Sequence, residues 1–489
     1  MKRILYIFHS LGLVTLCWSL ILVLPYIFSL IFQDGWETNF LYAIGITALA
    51  GLLMVIIGSP FKRELRLRDG LLLVVMVWVC FPLIGVIPFV LPYHPGDFSL
   101  SFTHAYYEVM SGLTSTGATI IPDVTHLPKS INAWRHTLIW FGGMGILVLA
   151  VAILPLLGVG GYQVYRGEVA GPMKEEKLTP RIAGTAKILY TIYISASLLC
   201  VICYRLAGLE WFDAWCHAGS TMALGGFSTY SSGYADINNT KAEWVACCFM
   251  LFAGINFATH FTAFRQRSLK AYVRSPEAIP FLLVVLFSAT IISSYLFLSG
   301  YYTDITTAFR YGFFNTISLA TTTGFANADY SLWPIGLPIW MLVLSNFASS
   351  AGSTGGGVKM IRIIILLKQF GIAFKQLIHP NGVFLLLVKG KIIDKSVTTA
   401  ILLHLILYTL LIILGVSLLL IAGLDYATAI SAILASISNA GPGVGQVGPM
   451  SSYGSLNDFA IWVCTFMMLV GRLELFTILV MFAPVYWRK

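Results

Sequence analysis

Ser115-Thr116-Gly117-Ala118, Leu224-Gly225-Gly226-Phe227, Thr322-Thr323-Gly324-Phe325 and Asn439-Ala440-Gly441-Pro442 are four short segments of one kind. Each follows a short amphipathic run and lies between two long apolar stretches. Their glycines fall roughly one hundred residues apart, a period that implies an internal repeat. Glycine takes φ > 0 without steric strain, so successive carbonyls beside it can face one axis. Four copies of helix, short re-entrant helix, glycine strand and helix would aim four sets of carbonyls at one pore. Such oxygens replace the hydration shell of a cation arriving from water. Ser115, Thr116, Thr322 and Thr323 would add hydroxyls to them. Any one segment alone reads better as a packing glycine or a break in a membrane helix. The shared register of the four favours a filter.

That register extends backwards. Nine residues before each glycine stand Glu108, His217, Asn315 and Ala432. Polar side chains at membrane depth are costly unless they face protein or water. The first three are therefore expected to be hydrogen-bonded behind the filter, with direct ion contact as the alternative.

Composition supports a bilayer setting. Of 489 residues, 58% are hydrophobic and 10% charged, far from the usual quarter charged of a soluble domain. The mean hydropathy is +0.83, and many apolar runs approach twenty residues. No stretch remains for a soluble domain. The net charge of +9 is no nucleic-acid signal, because the basic residues lie between apolar spans rather than on one face. The run from Ile4 to Phe32 is too long for a signal peptide and has no small-residue cleavage site, so it is expected to be a first span. The eight cysteines sit mostly inside apolar runs, and the lone pair Cys200 and Cys203 lacks the second pair a zinc site needs. They read as small buried hydrophobes.

The expected fold is an all-α integral membrane protein. Two N-terminal helices, 4–32 and 40–60, precede four units of outer helix, pore helix and inner helix around one central pore. The outer helices are expected near 71–91, 185–207, 279–300 and 397–422, and the inner helices near 134–158, 243–264, 336–370 and 457–483. The division is 1–67 for the extension, then 68–165, 166–270, 271–391 and 392–489 for the repeats. Ten full spans place both termini on one side. Of 30 lysines and arginines, 24 fall in the loops on that side, at positions such as 62, 63, 166, 174, 265, 359, 362 and 375, and 5 in the opposite loops, Arg135 and Arg310 among them. The positive-inside rule then makes the termini cytoplasmic. Most acids lie on the opposite face. Asp213, Asp304 and Asp425 stand where pore helices begin, where a carboxylate caps the helix and favours its positive end. They would attract cations or serve as caps alone.

Two further features bear on gating. The third inner helix is interrupted over 345–358, Ser-Asn-Phe-Ala-Ser-Ser-Ala-Gly-Ser-Thr-Gly-Gly-Gly-Val. Such backbone within a membrane must line water or be buried in protein. Gly352 to Lys359 looks like a nucleotide-binding loop, but Val358 separates Gly357 from Lys359 and Met360 replaces the Ser or Thr. A flexible loop under the filter, with Gly352, Gly355, Gly356 and Gly357, is the better account. In Gly471-Arg472-Leu473-Glu474, Arg472 is a positive charge facing the ion path, or else pairs with Glu474 or with backbone.

Together the glycine segments, the two-helix preface, the glycine-rich loop and Gly-Arg-Leu-Glu at 471–474 resemble the Trk/Ktr/HKT superfamily of potassium-uptake proteins, and within it the bacterial Trk branch. The matching pieces include Ser-Gly-Leu-Thr-Ser-Thr-Gly-Ala at 111–118, Gly-Gly-Phe-Ser at 225–228, Thr-Thr-Thr-Gly-Phe at 321–325 and Ser-Asn-Ala-Gly-Pro-Gly at 438–443, in the family's order along nearly the whole chain. The resemblance implies potassium uptake across a bacterial inner membrane. Potassium would bind at Ser115, Thr116, Gly117, Leu224, Gly225, Gly226, Thr322, Thr323, Gly324, Asn439, Ala440 and Gly441. The loop glycines and Arg472 would form the gate. It further implies a homodimer in membrane lipid, with no covalently bound cofactor. Opening would be controlled by a cytosolic TrkA-type subunit that binds a nucleotide, NAD(H) or ATP/ADP. This chain carries no nucleotide domain, so the nucleotide belongs to the partner. Leu224 and Gly225 depart from the hydroxyl residues of segments one and three, which argues against four identical ion layers.

Three other readings have their own signatures. A voltage-gated channel needs an arginine at every third position of one helix per repeat, which no span shows. A multipass enzyme acting on a lipid-linked substrate needs clustered His, Asp or Glu on one membrane face, whereas the acids here are scattered. A sodium-permeable channel differs only in selectivity.

Overall fold

A computed structural model of the chain describes residues 2–61, 67–91, 98, 100–152 and 178–487. It is helical throughout, apart from a hairpin of two short antiparallel strands, Leu387–Val388 and Lys391–Ile392. Among the described residues six helices are long and apolar enough to cross a membrane, and a seventh is added if one bent pair counts as a single span. The far end of the first inner helix and the basic residues at 62, 63, 66, 166, 174 and 177 lie outside the described residues.

The preface is Lys2–Ile21 continuing into Val23–Phe32, and then Glu37–Gly58. Small residues let the two arms touch: a Cβ at Gly58 would lie 2.2 Å from the His9 nitrogen, and one at Gly12 2.7 Å from that of Val55. With no hydrophobic drive between helices in lipid, such close backbone contact is what holds them together. Trp18 then docks the preface onto the first unit, with its ring 4.5 Å from Phe81 and 6.2 Å from Trp134.

Each unit repeats one plan. The outer helices are Leu67–Gly85 extended by Ile87–Val90, Leu178–Leu206, Ala278–Leu298 and Lys395–Ile421. The pore helices are Phe102–Leu113, Trp211–Ala223, Ile305–Ala320 and Tyr426–Ser438. Nearly every residue in the last two turns of each pore helix is buried, so these short helices are enclosed by the longer ones.

The inner helices differ most from sequence expectation. Lys129–Ala152 is continuous, and the third is interrupted between Phe347 and Met360, where glycines and serines predict a break. The second, expected as one helix over 243–264, is instead Thr240–Ala253 and Phe257–Gln266, bent by 91°. Asn256 caps the second half through the Ala258 N–H. The backbone freed at the bend bonds the broken helix of unit three: Ser350 N–H to Gly254 O at 3.1 Å and Phe257 N–H to Gly352 O at 3.1 Å. The fourth, expected over 457–483, splits into Asp458–Arg472 and Phe476–Phe482, with Glu474 and Leu475 at positive φ between them.

Candidate functional site

All four pore helices end in the same way. The N–H of the residue before each glycine bonds the carbonyl five residues back: Thr116 to Ser111 at 2.8 Å, Gly225 to Ser220 at 2.9 Å, Thr323 to Ser318 at 2.8 Å and Ala440 to Ala435 at 2.8 Å. This is a Schellman closure, and it requires a left-handed residue just past the helix. Ser115, Leu224, Thr322 and Asn439 supply it, with φ of 51°, 52°, 63° and 55°. The glycines follow two residues later with φ of 76°, 74°, 87° and 85° at Gly117, Gly226, Gly324 and Gly441. Three of the four left-handed residues other than glycine are neither Asn nor Asp, a conformation that costs about 1–2 kcal/mol each.

The four segments close into a ring. A Cβ at Gly117 would lie 1.8 Å from the Gly225 oxygen, and one at Gly226 2.1 Å from the Thr323 oxygen. One at Gly324 would lie 2.4 Å from the Ala440 oxygen, and one at Gly441 2.7 Å from the Thr116 oxygen. Each glycine thus faces the carbonyl of the next unit, and the fourth returns to the first. Side chains at the neighbouring positions hold the strands from behind. Glu108 accepts the Ile120 N–H at 2.8 Å and is paired with Arg135 at 2.7 Å. Asn315 accepts the Asn327 N–H at 3.4 Å, and Ser431, beside the apolar Ala432, accepts the Val444 N–H at 3.0 Å. His217 meets the Ser228 hydroxyl at 3.0 Å. The polar triplet read from the sequence therefore braces the strands after the glycines.

The hydroxyls are engaged too. Thr114 meets Thr116 at 2.7 Å, Thr321 meets Thr323 at 2.8 Å, Ser115 accepts from Arg472 at 3.0 Å and Thr322 from the Gly356 N–H at 2.9 Å. These hydroxyls are thus committed to protein partners. Gly117, Gly226, Gly324 and Pro442 line an open depression on one side of the ring.

On the other side lies the loop. Thr354 donates to the Met222 oxygen at 2.9 Å, Gly356 donates to Thr322, and a Cβ at Gly356 would lie 1.9 Å from the Ser438 oxygen. Arg472 donates to the Thr354 oxygen at 2.9 Å and the Gly142 oxygen at 3.3 Å as well as to Ser115. The loop and Arg472 together therefore touch all four units. Gly352 and Gly357 take φ of 73° and 75°, and a Cβ at Gly355 would lie 2.4 Å from the Ser349 hydroxyl, so each loop glycine answers a turn or a close approach.

Comparison with known proteins supplies the family. The TrkH family, described as cation transport proteins, matches residues 39–489. The chain belongs to the TrkH family. The Trk system potassium uptake protein TrkH of Halomonas elongata is 41% identical over 484 residues, 99% of each chain. That of Escherichia coli K12 is 37% identical over 98% of each chain. The crystal structure of the potassium transporter TrkH from Vibrio parahaemolyticus superposes with a TM-score of 0.91 at 36% identity, covering 99% of this chain and 100% of that one. The TrkH family transports ions across membranes and is not a family of enzymes.

Several charges of this TrkH family member are not where the sequence suggests. Arg135, counted among the external loops, is buried against Glu108. Lys359 and Arg362, counted among the cytoplasmic loops, are buried beneath the loop: Lys359 bonds the Gly355 oxygen, and Arg362 pairs with Glu474 and meets His404 at 3.0 Å. Glu474 is therefore bound by Arg362 and not by Arg472. Of the expected caps, Asp304 and Asp425 bond the N–H groups of Thr307 and Thr428. Hydrogen bonds from Thr306 and then Thr307 hold Asp304 down at about 2, so it is anionic at any physiological pH. Asp213 is not a cap; it lies inside the helix and accepts from Thr229 at 2.7 Å and Tyr230 at 3.0 Å. Pairing of buried acids with distant bases was the missing signal: Glu108 and Glu474 each required a cation, and Arg135 and Arg362 were candidates by their place next to apolar runs.

Proposed function

We propose that this protein carries potassium ions into a bacterial cell across the inner membrane, through a filter built from the carbonyls around Gly117, Gly226, Gly324 and Gly441. The single observation that carries this reading is the closed ring, in which each glycine meets the carbonyl of the next unit. Carbonyl oxygens arranged about one axis can replace a cation's hydration shell. The names of the relatives, potassium uptake protein and potassium transporter, support potassium as the ion. The basic bias of the loops supports cytoplasmic termini, with the filter entered from outside. The loop 345–358 and Arg472 act as the gate, because a buried guanidinium stays protonated and opposes a cation. The division into an extension of 1–67 and four repeats beginning at 68, 166, 271 and 392 follows the same periodicity. As the relatives belong to a Trk system, this chain works with other components. These are a second copy of itself and a cytosolic TrkA-type subunit, on which the nucleotide acts.

Flux into proteoliposomes tests the reading. Purified protein should take up potassium or rubidium in preference to sodium. Gly117→Ser should lower that ratio at least several-fold, because a Cβ there cannot coexist with the Gly225 oxygen at 1.8 Å. Cation flux without preference, or an unchanged ratio in the variant, would remove the ring from selectivity.

A further inference from the structure

One carboxylate holds the loop on both sides of its glycines. Glu277 precedes the outer helix Ala278–Leu298 and is fully buried. It makes no capping bond to that helix. Instead its Oε1 accepts the Ile361 N–H at 2.7 Å, and its two oxygens accept the Ala351 N–H at 3.2 and 3.1 Å. Ala351 comes before the loop glycines and Ile361 after them. Ile361 lies in the first turn of Met360–Ile378, where unpaired N–H groups and the helix dipole favour an anion. Bonds from backbone N–H to a carboxylate are roughly twice as strong as neutral ones. Widening the space under the ring means drawing the loop out, and one carboxylate cannot follow the chain on both sides of the glycines.

We infer that Glu277 is the positioning residue that keeps the loop shut, an inference that rests on the gating reading above. The bracket is also joined to the exposed cytoplasmic side. Ser275, two residues away, accepts the Ala278 N–H at 3.4 Å and donates its own to Ala271 of the short helix Lys270–Arg274 at 3.0 Å. Lys389 of the β-hairpin donates to the Val273 oxygen at 3.1 Å. A force on this basic surface reaches Glu277 through a few bonds, without crossing the membrane.

Rubidium flux per correctly assembled protein, measured in proteoliposomes, tests the inference. Glu277→Gln, which removes the charge, should raise basal flux roughly ten-fold, with an unchanged rubidium-to-sodium ratio. Glu277→Asp, too short to span both N–H groups, should raise it less. In a chain with the loop shortened, adding Glu277→Gln should change nothing further, because both changes act on one element. If Glu277→Gln does not assemble, Glu277→Asp decides. Unchanged flux in an assembled Gln or Asp variant, with faster flux in the loop-shortened chain, overturns the inference and leaves the gate standing. An equal gain from Gln with and without the loop also overturns it, since the effect then bypasses the loop. Should the loop-shortened chain itself conduct no faster, the gating reading fails and the inference falls with it.

Discussion

Arg472 joins three elements by three hydrogen bonds. It donates to Ser115 at the end of the first pore helix, to Gly142 on the first inner helix and to Thr354 in the loop. From Asp458, the helix that carries it runs about 20 Å at 1.5 Å per residue, more than half of a hydrocarbon core about 30 Å thick. Because Glu474 is bound by Arg362, removing Arg472 does not strand an acid in the membrane. Arg472→Ala should therefore assemble and pass cations faster, having lost both a positive charge and a tie to the loop. A well-assembled variant with equal or slower flux would show that the residue only holds the fold. The four glycines were legible at this scale because their conformation admits few other residues. The left-handed Leu224 was not legible, since nothing in its chemistry announces φ of 52°. Arg135, Lys359 and Arg362 were misplaced because counting charges between apolar runs treats every basic residue as a solvated loop residue.

Among the elements, the broken helix of unit three stands apart. Glu277 fastens it on both sides of its glycines, and its middle rests on Met222, Thr322 and Ser438, which belong to three different units. Bent inner helix two gives up its own continuity to bond Ser350 and Gly352 of the same loop. Shortening residues 346–358 should thus raise cation flux while the potassium-to-sodium ratio stays fixed, because the ring above is tied by its own Schellman closures and by Glu108, Asn315 and Ser431. Measured side by side in proteoliposomes, a fall in selectivity with the shortened loop would mean that loop and ring are one structure. The interruption in unit three was readable from its glycines and serines. The 91° bend in unit two was hidden, because apolar composition runs on through Gly254 and Asn256 and only the partner loop explains the turn.

For the whole molecule, composition and the hundred-residue period were enough for an all-helical membrane protein with four like units. The contacts that make one site of them, such as Arg472 with Ser115, join residues too far apart in the chain for any local pattern to reveal. The proposed orientation rests on loop charge, and moving Arg135, Lys359 and Arg362 into the interior leaves that bias steep. Single cysteines placed at Leu269 or Val383, both exposed, should react with a membrane-impermeant thiol reagent only from the inside of oriented vesicles. One at Tyr426, exposed near the start of the fourth pore helix, should react only from outside. The reverse pattern would turn the protein over in the membrane.

The ring is completed by its most distant members. Asn439 donates to the Thr116 hydroxyl at 3.0 Å across a separation of 323 residues, and Gly441 faces the Thr116 carbonyl. During synthesis the first three segments can enter the membrane and find one another, but the circle stays open until the fourth has left the ribosome. A chain cut short by a premature stop or by proteolysis before 439 has a gap in the ring, and no rearrangement of the remainder can fill it. Because all four quarters come from one message, they are always present in equal number. A substitution in one quarter is never diluted by intact copies, and every molecule made from a mutant gene carries the same single altered side of the ring.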